Sequence, residues 1–214
     1  MQEADWWVDH AAHKLHHGEQ TFACSREIEA LAVWKGHALL LSSDTDCLSL
    51  WDTEGLLRIA RVGVYPQDMA LAENQVIVCG GADGRLYELS LPDLQLLRTT
   101  VLPGMPERIA LQGQTAYVLS LLPEPEVHTA LLRISLSTGH VNMQLTRPGI
   151  PGAITADENG LWIGVSEQVL HLRNAAATPD RVIEGIGLAS RIETRPGGIL
   201  VTDGLTDRTL WICT

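Results

Sequence analysis

NQVIVCGGADGRLYELS (74–90) is an apolar β-rich run, a turn of Gly and Asp, and a second run in which apolar and polar residues alternate. That is the signature of a β-hairpin with one face buried. The same plan recurs in HALLLSSDTDCLSLWD (37–52), QTAYVLSLLPEPEVHTALLRIS (114–135), NGLWIGVSEQVLHLR (159–173) and GGILVTDGLTDRTLWIC (197–213). A unit repeating at this distance cannot bury its apolar face alone and must stack on its neighbours.

Each hairpin is preceded by a short apolar run: IEALAVW (28–34), DMALA (68–72), RIALQ (108–112), AITAD (153–157) and SRIET (190–194). Four are followed by another: LLRIARV (56–62), LQLLRTTV (94–101), HVNMQL (140–145) and RVIEGI (181–186). Four strands repeating about every 40 residues are the plan of a β-propeller blade. The expected fold is all-β, a five-bladed β-propeller of four-stranded antiparallel blades over 19–214. The fifth repeat lacks its fourth run, and EQTFACS (19–25) is a spare strand, so the last blade is expected to close through the N-terminal strand, with Phe22 near Trp211. Residues 5–17 fit an amphipathic helix, with Trp7, Val8, Ala11, Ala12 and Leu15 on one side. Segment 1–18 is therefore expected to be a short N-terminal helix.

These repeats resemble WD-repeat and YVTN-type propellers, including the pair Trp51–Asp52 at the end of a third strand. The resemblance implies the fold and a tendency towards binding roles. It carries over no catalytic residue.

The formal net charge of −11 argues against nucleic acid, whose phosphates demand cations, and against anionic membrane surfaces. It favours a cationic partner, either a protein or a small ligand. No apolar stretch reaches the length of a membrane span, and the N-terminus lacks the pattern of a signal peptide. Cys24, Cys47, Cys79 and Cys213 show no C-x-x-C spacing and read as reduced thiols of a cytoplasmic protein.

In this architecture the loops entering each blade share a face with the hairpin tips. Those tips carry Asp44, Asp46, Asp83, Glu124, Glu126, Glu167, Asp203 and Asp207, read either as turn formers or as a cation-binding face. The Pro/Gly-rich entry loops place Glu29, Tyr65, Gln67, Asp68, Glu107, Arg108, Ser190 and Arg191 as candidate binding residues at the channel mouth. On the N-terminal helix, His10, His13 and His17 are weak candidates for zinc, and calcium is the alternative ion for the acidic loops. The leading expectation is a non-enzymatic interaction module using the acidic loop face. The alternatives are a metal-dependent hydrolase or lactonase-type propeller enzyme, and a propeller binding a quinone or sugar through its tryptophans.

Overall fold

The computed structural model describes residues 5–123 and 125–213. Every regular element among them is a β-strand, and they form six antiparallel sheets. The chain divides into two compact units, Met1–Val101 and Leu102–Thr214.

The first unit holds three sheets. Sheet 1 is β1 (Trp6–Asp9), β2 (Lys14–His17) and β3 (Gln20–Ala23). Sheet 2 is β4 (Ile28–Trp34), β5 (His37–Ser42), β6 (Cys47–Asp52) and β7 (Gly55–Arg61). Sheet 3 is β8 (Asp68–Ala72), β9 (Gln75–Cys79), β10 (Arg85–Ser90) and β11 (Leu96–Val101). Facing residues of sheets 2 and 3, among them Leu39, Leu41, Leu50, Val76 and Val78, form one buried cluster. Trp6, Leu15, Ala38 and Leu40 form a second, between sheets 1 and 2.

In the second unit, sheet 4 is β12 (Met105–Gln112), β13 (Thr115–Leu122), β14 (His128–Ser135) and β15 (Val141–Pro148). Sheet 5 is β16 (Pro151–Asp157), β17 (Gly160–Val165), β18 (Gln168–Arg173) and β19 (Arg181–Glu184). Sheet 6 is β20 (Ala189–Arg195), β21 (Gly198–Asp203) and β22 (Thr209–Cys213). Alternation along the strands serves two interfaces at once. On β18, Leu170 and Leu172 pack towards sheet 4, while Val169 packs with Trp162, Ile192, Ile199 and Val201 towards sheet 6.

The five hairpins and their flanking runs thus form strands where the sequence places them, but the N-terminal reading needs correction. The segment expected as a helix over 1–18 is not helical where it is described, from residue 5 on: residues 6–9 and 14–17 are the strands β1 and β2, joined by a turn in which Asp9 Oδ1 accepts the Ala12 N–H at 2.9 Å and His13 takes a φ of 54°. Nor do five blades account for the chain, because this segment builds a sixth sheet. The strand around Phe22 pairs with β2, not with β22, so the expected closure is not formed among the described residues. Phe22 instead packs near Trp6 and Trp51, with ring centroids 6.2 and 5.9 Å away. Only Phe22 of this strand is partly buried, and its apolar ring is covered within its own unit.

One device recurs where neighbouring sheets meet. Trp6 Nε1 donates to Gly36 O (2.8 Å), Trp34 Nε1 to Glu73 O (3.0 Å), and Gln112 Nε2 to Asp157 O (2.7 Å). Each bond ties a strand to the turn, or to the strand end beside the turn, of the next sheet. Among the described residues, no helix is long and apolar enough to cross a membrane.

Candidate functional site

Backbone bonds place the entry loops beside the hairpin tips within each unit. Ser43 N–H donates to Glu27 O (3.0 Å) and Ala82 N–H to Val64 O (2.9 Å), while Ser166 N–H donates to Ile150 O (2.9 Å) and Gly204 N–H to Leu188 O (2.8 Å). In sheets 2, 3, 5 and 6 the entry segment therefore lies beside the hairpin tip of the same sheet.

Four of the seven described carboxylates at the hairpin tips are occupied by the loops themselves. Asp44 Oδ2 accepts Arg26 N–H (3.1 Å), and Asp46 Oδ1 accepts Tyr65 N–H (3.0 Å) while Oδ2 lies 3.5 Å from Arg61. Asp83 accepts Arg85 N–H (3.1 Å) and the Tyr87 hydroxyl, whose ionisation is held up by burial first and by Asp83 second. Asp203 accepts Leu205 N–H (2.9 Å) and the Thr206 hydroxyl (3.0 Å). The Leu205 N–H leads the effects that hold this carboxyl below its ordinary range, against the opposing pull of desolvation. These acids serve as turn formers. Glu124 lies outside the described residues.

The candidate residues of the entry loops fall into two groups. In the first unit, Glu29 lies on β4, Tyr65 sits exposed at a φ of 51°, Gln67 Nε2 donates to Tyr65 O (3.0 Å), and Asp68 begins β8 with its Oδ1 accepting Met69 N–H (2.8 Å). In the second unit, Arg108 Nη1 donates to Glu107 O (2.8 Å), Ser190 donates to Thr202 O (3.2 Å), and Arg191 pairs with Glu193 at 2.6 Å. Burial raises the Glu107 carboxyl above its usual range, with Arg108 opposing.

Three of these residues share a feature that the sequence did not reveal. The ladder slips between Ile28 and Ala30, between Pro106 and Arg108, and between Ala189 and Arg191, so Glu29, Glu107 and Ser190 are the extra residues of β-bulges. A bulge re-aims the side chain it inserts.

Glu29 has the most unusual surroundings. Ser43 Oγ lies 2.6 Å from Glu29 Oε1 and 3.3 Å from Glu27 Oε2. One hydroxyl carries one proton, so it can satisfy only one of these carboxylates at a time. Neither glutamate forms an ion pair among the described residues. Beside them a cavity of about 170 Å³ is lined by Trp7, Val8, His10, Ile28, Glu29, Ala30 and Leu31. The Trp7 indole is half-exposed and stacked on the His16 ring at 3.9 Å and 4°. His10 lines this slot, His13 lies in the β1–β2 turn, and His17 stacks on Trp6 at 4.4 Å, so the three do not share a helix face. Among the described residues no three His, Cys, Asp or Glu side chains are grouped to hold a metal ion.

A second cavity, about 1110 Å³, opens between sheets 5 and 6 at the end opposite the entry loops. Its lining includes Trp162, His171, Arg173, Asp180, Arg181 and Thr194. His171 Nδ1 lies 2.8 Å from Asp180 Oδ1, Arg173 Nε lies 3.1 Å from Asp180 Oδ2, and the His171 and Trp162 rings are 4.3 Å apart. In the sequence His171 is one of eight histidines, with no motif around it. The available signal was the alternation of QVLHLR (168–173), which puts Val169, His171 and Arg173 on one face.

No protein-family model matches the chain, and no curated protein matches it. Among solved structures it is similar to hydrazine synthase of Kuenenia stuttgartiensis, with 12% identity and a TM-score of 0.76 over 99% of this chain and 70% of that one. A structure of the nidogen/laminin complex gives 12% identity and a TM-score of 0.72, over 91% of this chain and 79% of that one. The WD40 domain of Pan2 from Neurospora crassa gives 9% identity and a TM-score of 0.66 over 87% of this chain, which spans 60% of that domain's length. At such identities the likeness is one of fold: the chain resembles β-propellers.

Proposed function

We propose that the chain is a non-enzymatic binding module that takes a cationic group, the ammonium or guanidinium of a basic peptide, in the slot between Trp7 and Glu29 on its loop face. The observation that carries this reading is the single Ser43 hydroxyl shared by Glu27 and Glu29. Two solvent-exposed carboxylates with one donor between them, and no ion pair among the described residues, hold negative charge open to a ligand. An organic cation supplies the missing charge and the missing donors, and the half-exposed indole of Trp7 adds a face that attracts it. The cavity of about 170 Å³ suits one side-chain head group, not a whole small molecule. The net charge of −11 adds long-range attraction for a basic partner. A β-propeller-like scaffold supports this role because its loops are ordered before the ligand arrives.

The test is titration of the intact protein with a hexalysine peptide and with hexaglutamate at low and high salt. Hexalysine should bind saturably and more weakly as salt rises, hexaglutamate should not bind, and Glu29→Gln should weaken hexalysine by about tenfold. Equal binding of hexalysine by the wild type and a Glu27→Gln/Glu29→Gln double variant would overturn the reading.

A further inference from the structure

The face of sheet 5 that meets sheet 6 changes character along its length. Near the entry loops it is apolar: Val169 and Ile183 pack with Ala153, Ala189 and Ile192. Two residues further along each strand, the same alternation brings His171 and Arg173 on β18 and Arg181 on β19 onto that face. The other face of sheet 5, against sheet 4, is lined by Leu161, Ile163, Val165, Leu170 and Leu172. A polar half-face between two sheets costs desolvation unless something compensates it.

The lacing described above also stops here. Trp34 and Gln112, each the last residue of the first strand of its sheet, donate to the next sheet. The counterpart in sheet 5 is Asp157, which has no donor. Its Oδ1 turns back to accept Asn159 N–H (2.7 Å) and Gly160 N–H (3.1 Å) in its own turn. Among the described residues no such side-chain bond joins the ends of sheets 5 and 6, and the cavity of about 1110 Å³ lies between them.

Three carboxylates (Asp157, Glu158, Asp180) and three guanidiniums (Arg173, Arg181, Arg195) line this cavity, but they are paired unevenly, and Arg195 is taken by Glu193. Asp180 is shared by His171 and Arg173. Arg181, directly across the ladder from His171, forms no ion pair with a carboxylate among the described residues. Asp157 is held by its turn, and Glu158 is the remaining acid on the rim. The His171 ring is held by Asp180 on one edge and packs against the Trp162 ring beside it, which orients the floor of the cavity. In a chain of net charge −11, an arginine left uncompensated beside a second arginine and an oriented imidazole is an arrangement for an anion.

We infer that the cleft between sheets 5 and 6 binds a small ligand through an oxyanion group, carboxylate or phosphate, with Arg181 and Arg173 as its charge partners and the Trp162–His171 pair as the floor under its body. This site is independent of the slot beside Glu29 and takes the opposite charge.

The test is calorimetric titration of the whole chain with phenyl phosphate and, separately, phenylacetate, with the Trp162 indole N–H followed by NMR. At least one probe should saturate and shift the Trp162 signal. Saturation by phenyl phosphate alone assigns the oxyanion as phosphate, and by phenylacetate alone as carboxylate. Arg181→Ala should weaken binding by about tenfold or more. Arg181→Gln, which keeps hydrogen-bond donors on a shorter and uncharged side chain, should weaken it as well, whereas Arg58→Ala on sheet 2 should leave it unchanged. The melting temperatures of the variants establish that they are folded. Absence of saturation with both probes, or saturation that survives Arg173→Ala/Arg181→Ala, overturns the inference.

Discussion

His171 and Asp180 are joined twice: the Asp180 N–H donates to His171 O at 3.1 Å, and the Asp180 carboxylate lies 2.8 Å from His171 Nδ1. The backbone bond closes the β18–β19 loop, and the side-chain bond fixes the imidazole against Trp162. One residue thus sets both the path of the loop and the orientation of a ring in the cleft.

Removing that carboxylate should loosen both. Desolvation raises the Asp180 carboxyl, but the charge and hydrogen bond of His171, followed by Arg173, outweigh it and hold the group below the ordinary aspartate range. The native state therefore releases this proton more readily than the unfolded chain. The resulting stabilisation is present above the unfolded value, about 3.9, and is lost as pH falls through the lower native value. Asp180→Ala should cost ~1 kcal/mol at neutral pH, since the group is partly exposed, and the deficit should shrink in acid. Urea melts of both proteins at pH 7 and pH 3 measure this; a deficit that grows in acid would contradict the assignment.

Glu107 has the opposite sign. Burial raises its carboxyl, with Arg108 opposing, so the native state holds the proton more tightly than the unfolded chain. This residue's contribution is most favourable below the unfolded value and is lost as pH rises through the raised native one. Glu107→Gln keeps the shape and cannot ionise. It should be more stable than the wild type at neutral pH, and its advantage should vanish in acid. Thermal melts across pH 4 to 8 are the check.

Sheets 5 and 6 approach closely at Gly164, where an added Cβ would lie 2.8 Å from the Ala189 Cβ. Gly164→Ala should therefore destabilise by about 1–3 kcal/mol through overpacking, despite its smaller backbone entropy cost. Ala189→Gly in the same chain should recover part of that loss, because it removes the atom being struck. A double-mutant cycle in denaturant gives the coupling, and additive losses would place the contact elsewhere.

The hairpins were legible because alternation and turn chemistry coincide in them: VIVCGGADGRLYE has two apolar strands around glycines, and Gly81 and Gly84 do adopt φ of 62° and 68°. The N-terminal segment was not legible because its turn carries no glycine. His13 takes the left-handed conformation instead, at φ 54°, and Asp9 caps the turn in a way that also suits a helix start. Of the site, Glu29, Glu107 and Ser190 were visible as residues near entry turns, but their bulges depend on pairing, which one strand alone cannot display. The cleft was hidden for a further reason. Asp157 and Gln112 both read as the ends of short strands, and only the direction of their side-chain bonds separates a laced pair of sheets from an open one.

The two adjacent tryptophans discriminate between strand and helix at the N-terminus. A helix with Trp7, Val8, Ala11, Ala12 and Leu15 on its inner side would bury Trp7. In the β1–β2 hairpin, Trp6 is 6% exposed and its Nε1 donates to Gly36 O, while Trp7 is 50% exposed. Trp6→Ala should therefore cost ~3–5 kcal/mol, the range for emptying a packed aromatic site, and Leu15→Ala ~2–5 kcal/mol. Trp7→Ala should change stability by about 0.5 kcal/mol or less, as for an ordinary surface position, yet abolish the hexalysine signal if its indole forms the wall of the slot. Denaturant melts of the three variants, with hexalysine titration of Trp7→Ala, measure both. A Trp7→Ala loss as large as that of Trp6→Ala would put the indole inside and remove the slot with it.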